Sequence, residues 1–276
     1  YMASMARIFR IDSPTARHLE CFYEEGYVAF PDLFADEARQ GFVDELMHLR
    51  PVRDFFKKSD AELRELGKPY RLSVKPWNDK GPWADGLFDA PFVRSILRKI
   101  LGESYHFCHS SLAVSIRGAA GIRFHQDHHH WFHAHPVNRN QRDRWYIQML
   151  YYPNGFSSGD GSLSILAGSQ KASPLEFPAD RLSRGDFGPF RRVDLELPPG
   201  SVVVLNARAF HGVSQKPENS TQRYRLFSNY IFKEAGPPHL NTQEIPQRWL
   251  HGVSGHRKQI FDRRSYTEGC WDGENN

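Results

Sequence analysis

The chain is short of cysteine, of long hydrophobic runs and of any excess of one charge, and each shortage removes a class of protein. Its three cysteines, Cys21, Cys108 and Cys270, lie far apart in 276 residues. That spacing offers neither a disulfide framework nor a cysteine-rich zinc site, and it leads us to expect a reducing, cytoplasmic setting. No apolar stretch approaches the roughly 18 residues that cross a bilayer, so no membrane partner is expected. The 36 Lys and Arg residues are interleaved with 32 Asp and Glu, leaving a net charge of +4. Such a mixture lacks the one-sided basic patch that nucleic acid requires. A small molecule is the expected partner, an anionic one being compatible with the mild basicity, and the protein is expected to be a monomer or homodimer.

What is present suits a globular enzyme. With 39% hydrophobic residues, the chain can bury the core of one large domain. Residues 1–5 read as an expression scar ahead of a second Met, and residues 6–276 as a single domain. Within it the grammar changes twice, from a helix-rich part over 6–109, through a strand-rich core over 110–232, to an extension over 233–276.

Helix signals dominate the first part. Ser13-Pro14, a cap residue followed by proline in the first turn, opens a helix over Thr15–Glu25 that Gly26 should end, and Tyr27–Phe30 reads as a short strand. Ala38, Phe42, Leu46 and Leu49 recur at helical spacing in Ala35–Arg50. Ser59 and Glu62 form a capping box, and Phe92–Leu101 is a helix that Gly102 closes. Further on, Leu112–Arg117, Arg144–Tyr152, Ser162–Leu166, Val193–Leu197, Ser201–Asn206 and Arg223–Phe232 are rich in β-branched and aromatic residues between Gly, Pro, Asn and Asp. Helices followed by many short strands predict a mainly β fold with helical support, a jelly roll with helices packed on one sheet. The tail offers only a fragmentary helix over Gln243–Leu250.

The chemistry concentrates in Phe124-His125-Gln126-Asp127. Side chains two apart on an extended chain share a face, so His125 and Asp127 can meet one metal ion. His211, just after the apolar strand Ser201–Asn206, is the best third ligand. Two imidazoles and a carboxylate leave adjacent coordination positions open, which suits non-haem Fe(II) binding a cosubstrate together with dioxygen. A zinc hydrolase uses the same ligand types, and a jelly-roll module holding a structural metal is the reading without catalysis. As a local pattern the pair could be a solvated turn, and His211 a satisfied core histidine.

Arg223 and Arg225 follow on the strand after His211. A guanidinium fork stays charged at working pH and binds a carboxylate bidentately, which suits the distal carboxylate of 2-oxoglutarate. Arg223 is the first choice and Arg225 the second, although Arg223 could instead pair with a structural acid.

Four segments resemble the phytanoyl-CoA dioxygenase (PhyH) family of Fe(II)/2-oxoglutarate oxygenases. They are Gly26–Phe34, Phe124–Asp127, Gly161–Lys171, and Pro199–Leu205 continued by Phe210-His211-Gly212. The third departs from the family's pattern, Ala167 and Gln170 replacing the usual Pro and His. The resemblance implies a double-stranded β-helix, the ligands His125, Asp127 and His211, and one arginine for 2-oxoglutarate. It also implies O2-dependent oxidation of a small metabolite or biosynthetic intermediate with release of succinate and CO2. A carboxylate at position 127 implies hydroxylation, or a related desaturation, cyclisation, epimerisation or demethylation, rather than halogenation. The polar stretch His128–Asp143 reads as a lid over the site. His129 and Trp131 within it, and Arg117 before it, are candidate substrate contacts, whereas Gln148 and Tyr151 are of undetermined facing.

Overall fold

A computed structural model describes residues 7–65, 71–88, 90–127, 146–172, 179–234 and 255–261. Their strands are β1 (Tyr27–Phe30), β2 (Arg71–Val74), β3 (Tyr105–Ile116), β4 (Ile122–His125), β5 (Tyr146–Tyr152), β6 (Leu163–Ala167), β7 (Arg191–Asp194), β8 (Ser201–Asn206), β9 (His211–Val213) and β10 (Tyr224–Glu234). A six-stranded sheet runs in the order β1-β8-β5-β10-β3-β2, and a four-stranded sheet in the order β4-β9-β6-β7. From β3 to β10 the chain crosses back and forth between them, leaving four strands in each. That is the double-stranded β-helix the family resemblance implies, with β1 and β2 widening the larger sheet at its two edges.

Helices cover the outer face of the larger sheet: α1 (Ala16–Glu25), α2 (Asp36–His48), α3 (Arg50–Phe56), α4 (Asp60–Glu65), α5 (Pro82–Gly86) and α6 (Pro91–Leu101). Their apolar residues recur at helical spacing. Ala38, Phe42 and Leu46 of α2 and Phe92, Val93, Ile96 and Leu97 of α6 are all buried. They pack on alternate residues of the sheet, Ile147, Met149 and Tyr151 of β5 and Val202 and Val204 of β8 among them. Residues of the opposite parity, Leu150, Tyr152, Val203 and Leu205, face Leu163 and Ile165 of the smaller sheet. The period of two thus divides each strand between two cores. A short helix, Gly255–Ile260, docks on the helical layer through Ile260 and through Arg257, whose Nη1 holds both carboxylate oxygens of Asp85 at 2.9 and 2.8 Å.

Local signals place most element ends. Thr15 rather than Ser13 caps α1, its Oγ1 accepting from His18 N at 3.3 Å, and Gly26, at φ 82°, closes the helix in the left-handed region as expected. The Ser59–Glu62 capping box is formed at α4, with Glu62 N donating to Ser59 Oγ and Ser59 N to Glu62 Oε2. The helix expected over Ala35–Arg50 is interrupted at Leu49, where the backbone is extended. Pro51 lacks an N–H to continue the ladder, so α3 restarts with proline in its first turn. β3 begins at Tyr105 rather than Leu112. Its polar opening is buried on both faces, where hydrogen bonds such as Ser110 Oγ to Asn78 Oδ1 at 2.6 Å substitute for the apolar signal. The strand expected over Val193–Leu197 occupies Arg191–Asp194, while β2, β4 and β9 are too short for periodicity to reveal. The Gln243–Leu250 helix lies outside the described residues.

Candidate metal centre

β4 ends on His125 and pairs antiparallel with β9, whose first residue, His211, stands directly opposite. Close approach of these strands depends on Gly212, because a Cβ there would lie 2.7 Å from the Ile122 carbonyl oxygen. Glycine after the histidine is therefore a packing requirement. Asp127 sits in the turn beyond β4, its backbone N–H donating to the Ala207 carbonyl at 3.0 Å. Gln126, between the two candidate ligands, faces the other way and is 3% exposed. Its Nε2 donates to the Arg208 carbonyl at 2.5 Å and to the Ala172 carbonyl at 3.4 Å. The middle residue of the motif thus ties the first two candidate ligands to the turn that precedes the third.

The three side chains converge. One donor atom from each of His125, Asp127 and His211 lies within 4.8 Å of the others. His125 Nε2 is 3.3 Å from Asp127 Oδ1, and His211 Nε2 is 3.5 Å from Asp127 Oδ2. Ligands at right angles on an ion roughly 2.1 Å away sit roughly 3 Å apart, so the donor set fits a first-row divalent cation. Each imidazole places Nδ1 2.9 Å from a backbone carbonyl, that of Arg123 for His125 and that of Ala209 for His211. Those carbonyls select the Nδ1–H tautomer and leave both Nε2 lone pairs facing the carboxylate. Burial alone would push the Asp127 carboxyl up, but hydrogen bonding to the two imidazoles outweighs it and holds the group well below the usual carboxylate range. It is therefore ready to ligate as an anion. For His125, burial works downward and the Asp127 contact prevails, raising its proton affinity. A cation entering the site must displace such a proton.

A polar chain supports the carboxylate from the larger sheet. Gln148 Nε2 donates to Asp127 Oδ2, and Asn229 Nδ2 donates to Gln148 Oε1 at 3.1 Å. Both residues have the inward parity of β5 and β10. Asn229 Oδ1 is buried without a hydrogen-bond partner. Sequence alone leaves Gln148 undecided because every residue of β5 is buried, which erases the alternation that would reveal its facing. Tyr151 faces outward and bonds the Leu87 carbonyl at 3.3 Å.

Arg223, just before β10, and Arg225, within it, have different fates. Arg223 turns to the helical side, its Nε 3.0 Å from Asp60 Oδ1 and its Nη2 2.7 Å from the Lys58 carbonyl. Arg117 shares the same acid, its Nε 3.2 Å from Asp60 Oδ2. Arg225 instead points between the sheets and is 3% exposed. Its Nη1 donates to the Gly161 carbonyl, while its buried Nε has no hydrogen-bond partner. Burial lowers its pKa to about 10, so the cation is held at a cost in solvation. An anionic ligand would relieve that cost. His129 and Trp131 lie outside the described residues, as does the whole stretch His128–Asp143.

The segment Gly161–Lys171 is a brace for this arrangement. Ser169 Oγ accepts from Phe210 N at 2.8 Å, one residue before His211, and Gln170 Nε2 caps α1 through the Tyr23 and Glu24 carbonyls at 3.1 Å each. Glutamine at 170 thereby links the helix to the strand turn. The model of the phytanoyl-CoA dioxygenase (PhyH) family matches residues 22–226, a span that includes His125, Asp127, His211, Arg223 and Arg225. The chain belongs to the PhyH family. As a PhyH protein it is an Fe(II)/2-oxoglutarate-dependent oxygenase, with iron and 2-oxoglutarate as its cofactors.

Solved structures share the fold at low identity. HygX from Streptomyces hygroscopicus, with nickel and 2-oxoglutarate bound, is 18% identical, covers 84% of this chain and 91% of its own, and superposes with a TM-score of 0.61. The α-ketoglutarate-dependent carbocyclase SnoK from nogalamycin biosynthesis is 15% identical over 81% of this chain and 85% of its own, with a TM-score of 0.60. EctD from S. alaskensis, with 2-oxoglutarate and 5-hydroxyectoine, is 16% identical over 80% of this chain and 76% of its own, with a TM-score of 0.58. No curated protein sequence is significantly similar to the chain. Among the described residues, no helix is long and apolar enough to cross a membrane.

Proposed function

We propose that this PhyH enzyme hydroxylates an unactivated C–H bond of a small, anionic metabolite or biosynthetic intermediate, with His125, Asp127 and His211 as the iron ligands. The observation that carries this reading is the convergence of the three donor atoms within 4.8 Å, with both Nδ1 atoms engaged by carbonyls. Bound there, Fe(II) with 2-oxoglutarate and O2 supplies the oxidant, releasing succinate and CO2. The chain contributes positioning. Gln148, braced by Asn229, keeps Asp127 in one orientation, and Gln126 keeps the two ligand segments at a fixed separation.

The cosubstrate anchor in this reading is Arg225. The sequence favours Arg223, but Asp60 neutralises it, whereas Arg225 is buried with a donor unspent. A guanidinium in that state offers its fork to a carboxylate arriving between the sheets. Likeness to SnoK supports a second outcome, ring closure, from the same site.

The test is a screen of candidate substrates by iron-dependent succinate release, followed by mass spectrometry of the product. Gain of one oxygen atom supports hydroxylation, and loss of two hydrogens moves the assignment to cyclisation or desaturation. Turnover without O2 and 2-oxoglutarate would instead support hydrolysis.

A further inference from the structure

We propose that Arg71 is a second guanidinium of the cosubstrate pocket, sharing with Arg225 the distal carboxylate of 2-oxoglutarate; this rests on the assignment of Arg225 made above. Arg71, Ser115 and Arg225 are directly opposed across three neighbouring strands, Arg71 pairing with Ser115 and Ser115 with Arg225. Their sequence neighbours Leu72, Val114 and Leu226 pack into the helical-side core. By alternation, the row of two arginines and a serine faces the space between the sheets.

Nothing in that row neutralises the two charges. Arg71 Nε donates to Ser115 Oγ at 3.3 Å, and Arg225 Nη1 donates to the Gly161 carbonyl. Neither guanidinium forms an ion pair with a described residue. Asp160 is a carboxylate that favours the Arg225 cation, but it is committed elsewhere, with Lys216 Nζ at 2.8 Å on one oxygen and Ser220 Oγ at 2.6 Å on the other. Arg71's charge adds to the strain, since after burial it is among the influences that lower the proton affinity of Arg225. Burial lowers Arg71 in the same direction.

Like charges brought together away from water repel, and a fold keeps them only where an anion offsets the repulsion. A cross-strand bond to Ser115 would need no cation. A carboxylate has two oxygens and about four acceptor positions, enough for two guanidinium forks approaching from adjacent strands. The consequence is selectivity: the pocket should discriminate 2-oxoglutarate from 2-oxo acids of equal length that end in a methyl group.

The experiment measures dissociation constants of 2-oxoglutarate and 2-oxopentanoate for the nickel-loaded enzyme by calorimetry, so that no turnover is needed. R71Q is expected to weaken 2-oxoglutarate about tenfold or more and to leave 2-oxopentanoate unchanged. R71K, keeping the charge but losing the fork, should fall between R71Q and the parent, and it serves as the readout if R71Q does not fold. R225Q tests the underlying assignment. If R225Q collapses the preference for 2-oxoglutarate while R71Q or R71K retains the full preference, Arg71 is a structural residue and the inference is overturned. Equal weakening of both ligands by R71Q also overturns it. If R225Q itself leaves the preference intact, the Arg225 assignment fails first.

Discussion

On β5 and β10 the residues of one parity, Ile147, Met149 and Tyr151 with Leu226 and Tyr230, close against the helices, whereas those of the other include Gln148, Arg225 and Asn229, facing the smaller sheet. The outward face is mostly apolar, although Ser228 Oγ on it is buried without a hydrogen-bond partner. Its side chains exclude water from one another, and Tyr230 and Tyr151 spend their hydroxyls on the Ala84 and Leu87 carbonyls. The inward face is incomplete, with Arg225 Nε and Asn229 Oδ1 buried and unpartnered. A buried hydroxyl left open costs less than a buried cation, so the side that holds Arg225 with a donor unspent is the side suited to a charged ligand. One sheet therefore separates stability from chemistry by alternation alone.

Four substitutions can break or sharpen that division. Asp127→Ala should abolish iron-dependent succinate release while the thermal transition stays within a few degrees of the parent, because the residue lies outside both large cores. Full residual turnover would sink the metal assignment. On the outward face, Phe92→Ala should cost about 3–5 kcal/mol in chemical denaturation. Phe92 is fully buried with its ring 5.4 Å from that of Phe9 and 5.0 Å from that of Phe30. The folded fraction should keep its KM for 2-oxoglutarate, and a several-fold rise would show that the two faces are not independent.

Gln148→Leu removes the donor to Asp127 without removing a ligand. A fall of about 10- to 100-fold in iron affinity, read by metal titration, is expected. Unchanged affinity would make Gln148 a mere filler between the sheets. The smallest effect belongs to Asp60→Asn, which releases Arg223 and Arg117 from a partly exposed pairing and should cost under about 1 kcal/mol. KM for 2-oxoglutarate should not move. A marked change there would return Arg223 to the anchoring role.

Much of the fold and of the candidate metal centre is legible in the sequence. Capping residues, Gly26, and the helical spacing of Phe42 and Leu46 are local signals, and the parity of His125 and Asp127 is a two-residue property of any extended chain. The choice between Arg223 and Arg225 was different in kind. Both have the same parity on an ideal strand, and what sets them apart is the contact of Arg223 with Asp60, 163 positions away, and of Arg225 with Gly161, 64 positions away. Arg71 was equally hidden, since its significance lies in the register of β2 against β3 and of β3 against β10.

By itself, then, the sequence determined the elements, the order of the motifs and which residue types can ligate a metal, because those depend on neighbours a few positions apart. Tertiary structure alone decided which cation is neutralised and which is left open. Charge satisfaction and burial depend on groups brought together across the sheets, and no local pattern records them.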